Sequence, residues 1–139
     1  MSDIFKDTNL IWETVTIKQH KKNIKTPMVS VGHGRMIINT AACNLINNIF
    51  DYEWADIVQA KRNSEIVFLG IKFTKIPLTN SLHVRTIQKK GSELKSLVIN
   101  SQELVRIFFG EKALRNSTTR YSVTLKEDNT LVVDLKNPL

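Results

Sequence analysis

The chain begins with an alternation. Between Leu10 and Lys18, Ile11, Glu13, Val15 and Ile17 share one side, while Trp12, Thr14 and Thr16 share the other. A period of two with β-branched residues predicts a strand. Residues 1 to 9 are polar and expected to fray. His20 to Thr26 reads as a basic loop ended by Pro27. Met28 to Val31 and Arg35 to Ile38 are short strands around Gly32-His33-Gly34, a turn because glycine adopts positive φ at little cost. Asn39-Thr40 resembles a helix N-cap, and the helix is expected over Ala41 to about Asn48. Trp54 to Ala60 and Ile66 to Phe73 then form a hairpin around a five-residue loop, Lys61 to Glu65.

The exposed-looking run Ile76-Pro77-Leu78-Thr79-Asn80 is the best internal boundary, and after it the order recurs. Leu82 to Gln88 is a strand and Lys89-Lys90-Gly91-Ser92 a basic turn. Ser96 to Ile99 is a strand, and Asn100-Ser101 is a cap with Glu103 in the first turn. Gln102 to Phe109 is a helix stopped by Gly110. Arg120 to Lys126 and Thr130 to Leu135 pair around Glu127-Asp128-Asn129.

The halves align. Met36-Ile37-Ile38-Asn39-Thr40 matches Leu97-Val98-Ile99-Asn100-Ser101, and each is followed by a short helix and a hairpin. One β-α-β-β unit of this size does not bury its own apolar face, and a second copy supplies the missing layer. The expected fold is therefore α+β and β-rich. Two β-α-β-β repeats form an intramolecular pseudo-dimer within a single domain, 1–139. Residues 10–78 hold the N-terminal strand and first repeat, and 79–139 the second. Further pairing into a homodimer is compatible with this arrangement.

Gly34-Arg35-Met36-Ile37-Ile38-Asn39, followed by a short helix and a hairpin, resembles the AbrB/SpoVT/MazE swapped-hairpin family. That family's motif is Gly-Arg-apolar-x-Ile-Pro, then helix, then hairpin. The resemblance covers Met28 to Phe73 and, more faintly, Leu82 to Leu135. Asn39 replaces the proline, and Lys95-Ser96 stands where the second Gly-Arg would be. The resemblance implies a swapped-hairpin barrel and a DNA-binding regulator or antitoxin, with basic residues near the Gly-Arg motif on phosphates and groove edges.

Charge agrees with that direction. In 139 residues, 20 Lys and Arg against 13 Asp and Glu give +7. Such a balance favours an anionic partner. Between Glu13 and Asp51 no acidic residue occurs, while Lys18, Lys21, Lys22, Lys25 and Arg35 do. Arg85, Lys89, Lys90 and Lys95 make a second cluster. Mobile ammonium groups suit a phosphate backbone because each neutralised phosphate releases counterions. An arginine fork can also read a guanine edge, although Arg35 has Asp51, Glu53 and Asp56 as alternative ion-pair partners. His33 stands exposed in its turn, within reach of phosphate, and Gly32 and Gly34 let the backbone turn closely. Among the aromatic residues, Trp12 and Tyr52 are the best exposed stacking candidates, and core packing is the default for the rest.

Several classes fall away. No apolar run approaches the roughly 18 residues of a membrane span. The N-terminus lacks the pattern of a secretory signal. One cysteine, Cys43, allows no internal disulfide, so a reducing, cytoplasmic setting is expected. His20, His33 and His83 have no metal-ligand spacing, and Asp51, Glu53 and Asp56 are too few for a metal loop. Neither a nucleophile elbow nor a Walker loop is present. The expectation is no enzyme, no cofactor and no metal. Ile, Lys and Asn, at 15, 14 and 12 against 5 Ala, share A/T-rich codons and hint at a low-GC bacterium, plasmid or phage. The sequence reading is thus a small DNA-binding regulator, with duplex favoured and single-stranded DNA admissible. The alternatives are a phage-type single-stranded DNA or RNA binder, and a protein–protein module such as an antitoxin or inhibitor.

Overall fold

A computed structural model describes residues 11–15, 26–88, 90–115, 118–127 and 129–139. Half of the described residues are in strands. The strands are β1 (Met28–Gly32), β2 (Arg35–Ile38), β3 (Trp54–Arg62), β4 (Glu65–Thr74), β5 (Leu82–His83), β6 (Arg85–Gln88), β7 (Lys95–Asn100), β8 (Thr119–Glu127) and β9 (Thr130–Pro138). The helices are α1 (Thr40–Cys43), α2 (Gln102–Phe109) and α3 (Lys112–Arg115), and Ile49–Asp51 forms one 3-10 turn.

All nine strands join one antiparallel sheet in the order β5-β3-β4-β9-β8-β1-β2-β7-β6. Its two ends, β5 and β6, are separated in sequence by Val84 alone. Residues 82–83 pair with β3, residues 85–88 with β7, and the Val84 N–H donates to the Glu53 carbonyl at 2.8 Å. The sheet therefore wraps into a nearly closed barrel. The predicted strand Leu82 to Gln88 exists, but it changes partners at buried Val84.

Alternation decides what fills the barrel. Val29, Val31, Met36, Ile38, Leu97 and Ile99 point inward from one side, and Ala55, Leu69, Ile71, Phe73, Leu131 and Val133 from the other; all are fully or almost fully buried. Burying such side chains stabilises by about 1.5–3 kcal/mol each before entropy is counted.

Local chemistry sets the connections. Asn39 Oδ1 accepts from Ala42 N at 2.8 Å, capping α1, and from Met28 N at 3.1 Å, while its Nδ2 donates to the Thr26 carbonyl at 2.8 Å. One amide thus ties the helix start to the start of β1. Helix α1 is shorter than expected. Asn44, Asn47 and Asn48 are poor helix formers, and Asn48 adopts φ 57°, which ends the helical path. Helix α2 spans the expected residues: Ser101 Oγ accepts from Leu104 N at 3.1 Å and Gly110 leaves the helix at φ 90°.

The sequence reading needs correction elsewhere. Helix α3 was not expected. The β3–β4 loop is not five residues but a two-residue turn, Asn63-Ser64, with φ 52° and 66°, the signs of a primed hairpin turn. In the first turn, His33 (φ 55°) and Gly34 (φ 74°) take the left-handed positions, while Gly32 stays in β1 opposite Arg35. Residues 11–15 form no strand, and Ile11, Trp12 and Val15 are exposed. Alternation specifies a strand only when a partner strand offers a ladder, and residues 11–15 pair with no strand of the sheet. The rest of that expected strand, Leu10 and Thr16 to Lys18, lies outside the described residues.

Candidate nucleic-acid interface

The register fixes which basic residues share a face. Across four neighbouring ladders, Arg120, Ser30, Ile37, Val98 and Arg85 form one row over β8, β1, β2, β7 and β6. The adjacent row, Tyr121, Val29, Ile38, Leu97 and Thr86, points the opposite way and includes buried core residues. The arginine row therefore faces outward. Arg35, two residues before Ile37 in β2, lies on the same face and pairs with Asn100. Arg35, Arg85 and Arg120 are all exposed, Val98 is buried and Ile37 half-buried. The result is a shallow apolar floor with three guanidinium groups around it.

No acidic residue occurs in β1, β2, β6 or β7. Among the described residues two ion pairs form, Arg106 with Glu111 at 3.3 Å and Lys136 with Glu65. Arg35, Arg85 and Arg120 belong to neither. The ion pair of Arg35 with Asp51, Glu53 or Asp56, considered from the sequence, is thus not formed.

The other expected residues scatter. His33 is exposed at the β1–β2 turn, whose Gly34 N–H donates to the Ala113 carbonyl of α3 at 3.1 Å. Lys90 is exposed in the β6–β7 connection. Lys95 lies on the core-facing register of β7, at its very start, and its ammonium stands 5.5 Å from the centre of the Phe50 ring. The β2–β7 ladder sets Arg35 beside Asn100 and Ile38 beside Leu97, so His33 and Lys90 hang at opposite ends of the ribbon. Lys18, Lys21, Lys22, Lys25 and Lys89 lie outside the described residues.

Arg120 escaped the sequence reading. It lies six residues before the other basic residue of β8, Lys126, and only the β1–β8 pairing brings it into line with Arg85; the acid-free composition of the strands that join them was the available signal. Tyr52 is half-buried, packed 6.4 Å from Phe73 with Lys75 over its ring at 5.6 Å, which makes it a poor stacking platform. No group of His, Cys, Asp and Glu among the described residues is arranged to hold a metal ion. No helix among them is long and apolar enough to cross a membrane. Comparison with known proteins finds no family model, no curated protein and no solved structure that matches this chain.

Proposed function

We propose that this chain is a small DNA-binding protein that holds a duplex against the outward row of β6, β7, β2, β1 and β8. The observation that carries the reading is Arg35, Arg85 and Arg120 on one face, the first two on strands that carry no acid and Arg120 on β8, whose one acid, Glu127, stands at the strand's far end. Neighbouring strands lie about 4.8 Å apart, so the arc from Arg85 to Arg120 spans about 19 Å. With the reach of arginine side chains, that arc covers both rims of a major groove about 12 Å wide. Clustered basic charge without acidic neighbours supplies the attraction to phosphates.

We further infer that the barrel is a fused pair of β-α-β-β repeats, as the swapped-hairpin resemblance implies. Strand order supports this. Exchanging β1 with β6, β2 with β7, β3 with β8 and β4 with β9 leaves every neighbour relation unchanged, if β5 is counted with β6. In the same alignment Ile37 pairs with Val98, its own counterpart. Such two-fold order suits a two-fold-like ligand such as duplex DNA.

The test is an electrophoretic shift panel with duplex DNA, single-stranded DNA and RNA at two or more salt concentrations. Duplex affinity should fall with a log–log slope of about −0.9 per neutralised phosphate, and Arg35→Ala, Arg85→Ala and Arg120→Ala together should flatten it by about two to three units. An unchanged slope removes the row from the interface. Tighter binding to oligo-dT with quenched tryptophan fluorescence transfers the reading to a single-strand binder. No salt-dependent binding to any of the three leaves a protein partner as the reading.

A further inference from the structure

Between α2, α3, β1 and β8 lies a cavity of about 250 Å³ lined by Val31, Phe109, Lys112, Ala113, Thr119 and Tyr121. Three kinds of group meet there: two aromatic rings, two hydroxyls and one ammonium. The rings of Phe109 and Tyr121 are 5.1 Å apart and inclined at 48°. They touch, so a planar ligand lies against one of them rather than between them. Lys112 is exposed and belongs to neither ion pair formed among the described residues. Burial pushes the Tyr121 hydroxyl above its ordinary value, which keeps it a protonated donor. The volume falls below the roughly 300–1,000 Å³ of sites for drug-sized molecules and suits one ring system.

We propose that this cavity holds a single nucleotide, its base against Tyr121 and its phosphate on Lys112. Stacking tolerates any base because each has a π-face, and the Thr119 hydroxyl on the cavity wall offers a hydrogen bond to a base edge. The same chemistry belongs to a free nucleotide and to a nucleotide within a strand. The strand-borne case rests on the DNA-binding reading above; the free case does not. Ala113, one wall of the cavity, also accepts the hydrogen bond from Gly34, so an occupant lies against the segment that anchors the turn preceding Arg35.

The experiment is an amide-shift NMR titration of the full chain with thymidine 5′-monophosphate, thymidine and a dT hexamer. The monophosphate should move the amides of Ala113, Thr119 and Tyr121, with thymidine about tenfold weaker because it lacks the anion. Lys112→Gln should weaken the monophosphate by about tenfold, and Tyr121→Leu by a similar factor through lost stacking. Lys112 is exposed, so its variant keeps the test meaningful if Tyr121→Leu unfolds. Movement of these amides by the hexamer alone, reduced by Lys112→Gln, assigns the nucleotide to a strand. Silence from both monophosphate and hexamer at millimolar concentration overturns the proposal, as does indifference to Lys112→Gln. The duplex salt slope of the arginine variants is read separately, so the failure of either idea is recognised on its own.

Discussion

Strands β1, β2, β6 and β7 carry Arg35, Arg85 and Lys95 and no acid, whereas β3, β4 and β9 interleave Asp56, Glu65 and Asp134 with Lys61, Arg62, Lys72 and Lys136. The mixed half spends part of its charge on itself, with Lys136 bonded to Glu65 across the β4–β9 pair. The inward residues of the two halves are alike, since each contributes aliphatic rows that meet in one core. Packing constrains the inner positions of both halves equally. Only the outer positions are free to differ, and the difference there is one of charge.

The largest expected effect tests the shared core. Phe73→Ala from the mixed half should cost about 3–5 kcal/mol and Ile99→Ala from the acid-free half about 2–5 kcal/mol. Urea denaturation should show a single transition for each variant, and two separate transitions would break the picture of one common core. Next come the two helix caps. Asn39→Ala should destabilise by about 1–2 kcal/mol, more than Ser101→Ala at about 1 kcal/mol, because Asn39 also holds Met28 and Thr26. Equal losses would mean that the ties to β1 contribute nothing.

The outer faces are sharpened by one charge. Ser30→Glu, beside Arg120 in the outward row, should flatten the duplex salt slope by about one unit, whereas Val132→Glu on the mixed half should leave it unchanged. The same response from both would erase the distinction between the faces. The smallest signal comes from Cys43. Burial pushes its thiol up to about 12, against a lowering hydrogen bond from the Leu97 backbone. A thiol reagent at pH 8 should therefore react only after urea is added. The folded state keeps a proton that the unfolded chain releases near its ordinary value of 9.0, so this group's contribution is intact below that pH and is lost as pH climbs toward about 12.

Elements with their own punctuation were legible in the sequence. Helix α2 has Ser101 at one end and Gly110 at the other, and both ends fell where these residues put them. The hairpins were legible from alternation, though Asn63-Ser64 tolerates left-handed φ closely enough to shorten the loop to two residues. What depends on tertiary pairing was hidden. Ile11 to Val15 alternates as well as any true strand, yet finds no ladder. Lys95 and Arg85 look equivalent in the sequence, but the pleat sends one toward the Phe50 ring and the other outward. Arg120 joins the outward row through a partner 90 residues away in the chain, Ser30. The core was readable because burial follows periodicity; the outward row was not, because it is a property of five strands together.

Val84 has one more consequence. An ordinary open sheet ends in two rows of unpaired backbone groups, which can recruit strands from other molecules and seed aggregates. Here both terminal strands are the same stretch of chain, turned at a single residue from one neighbour to the other. The seam therefore covers the outer edge of β3 at Trp54 and Ala55, and shortens the template left to neighbouring molecules to residues 56–62 of β3 and the outer edge of β6.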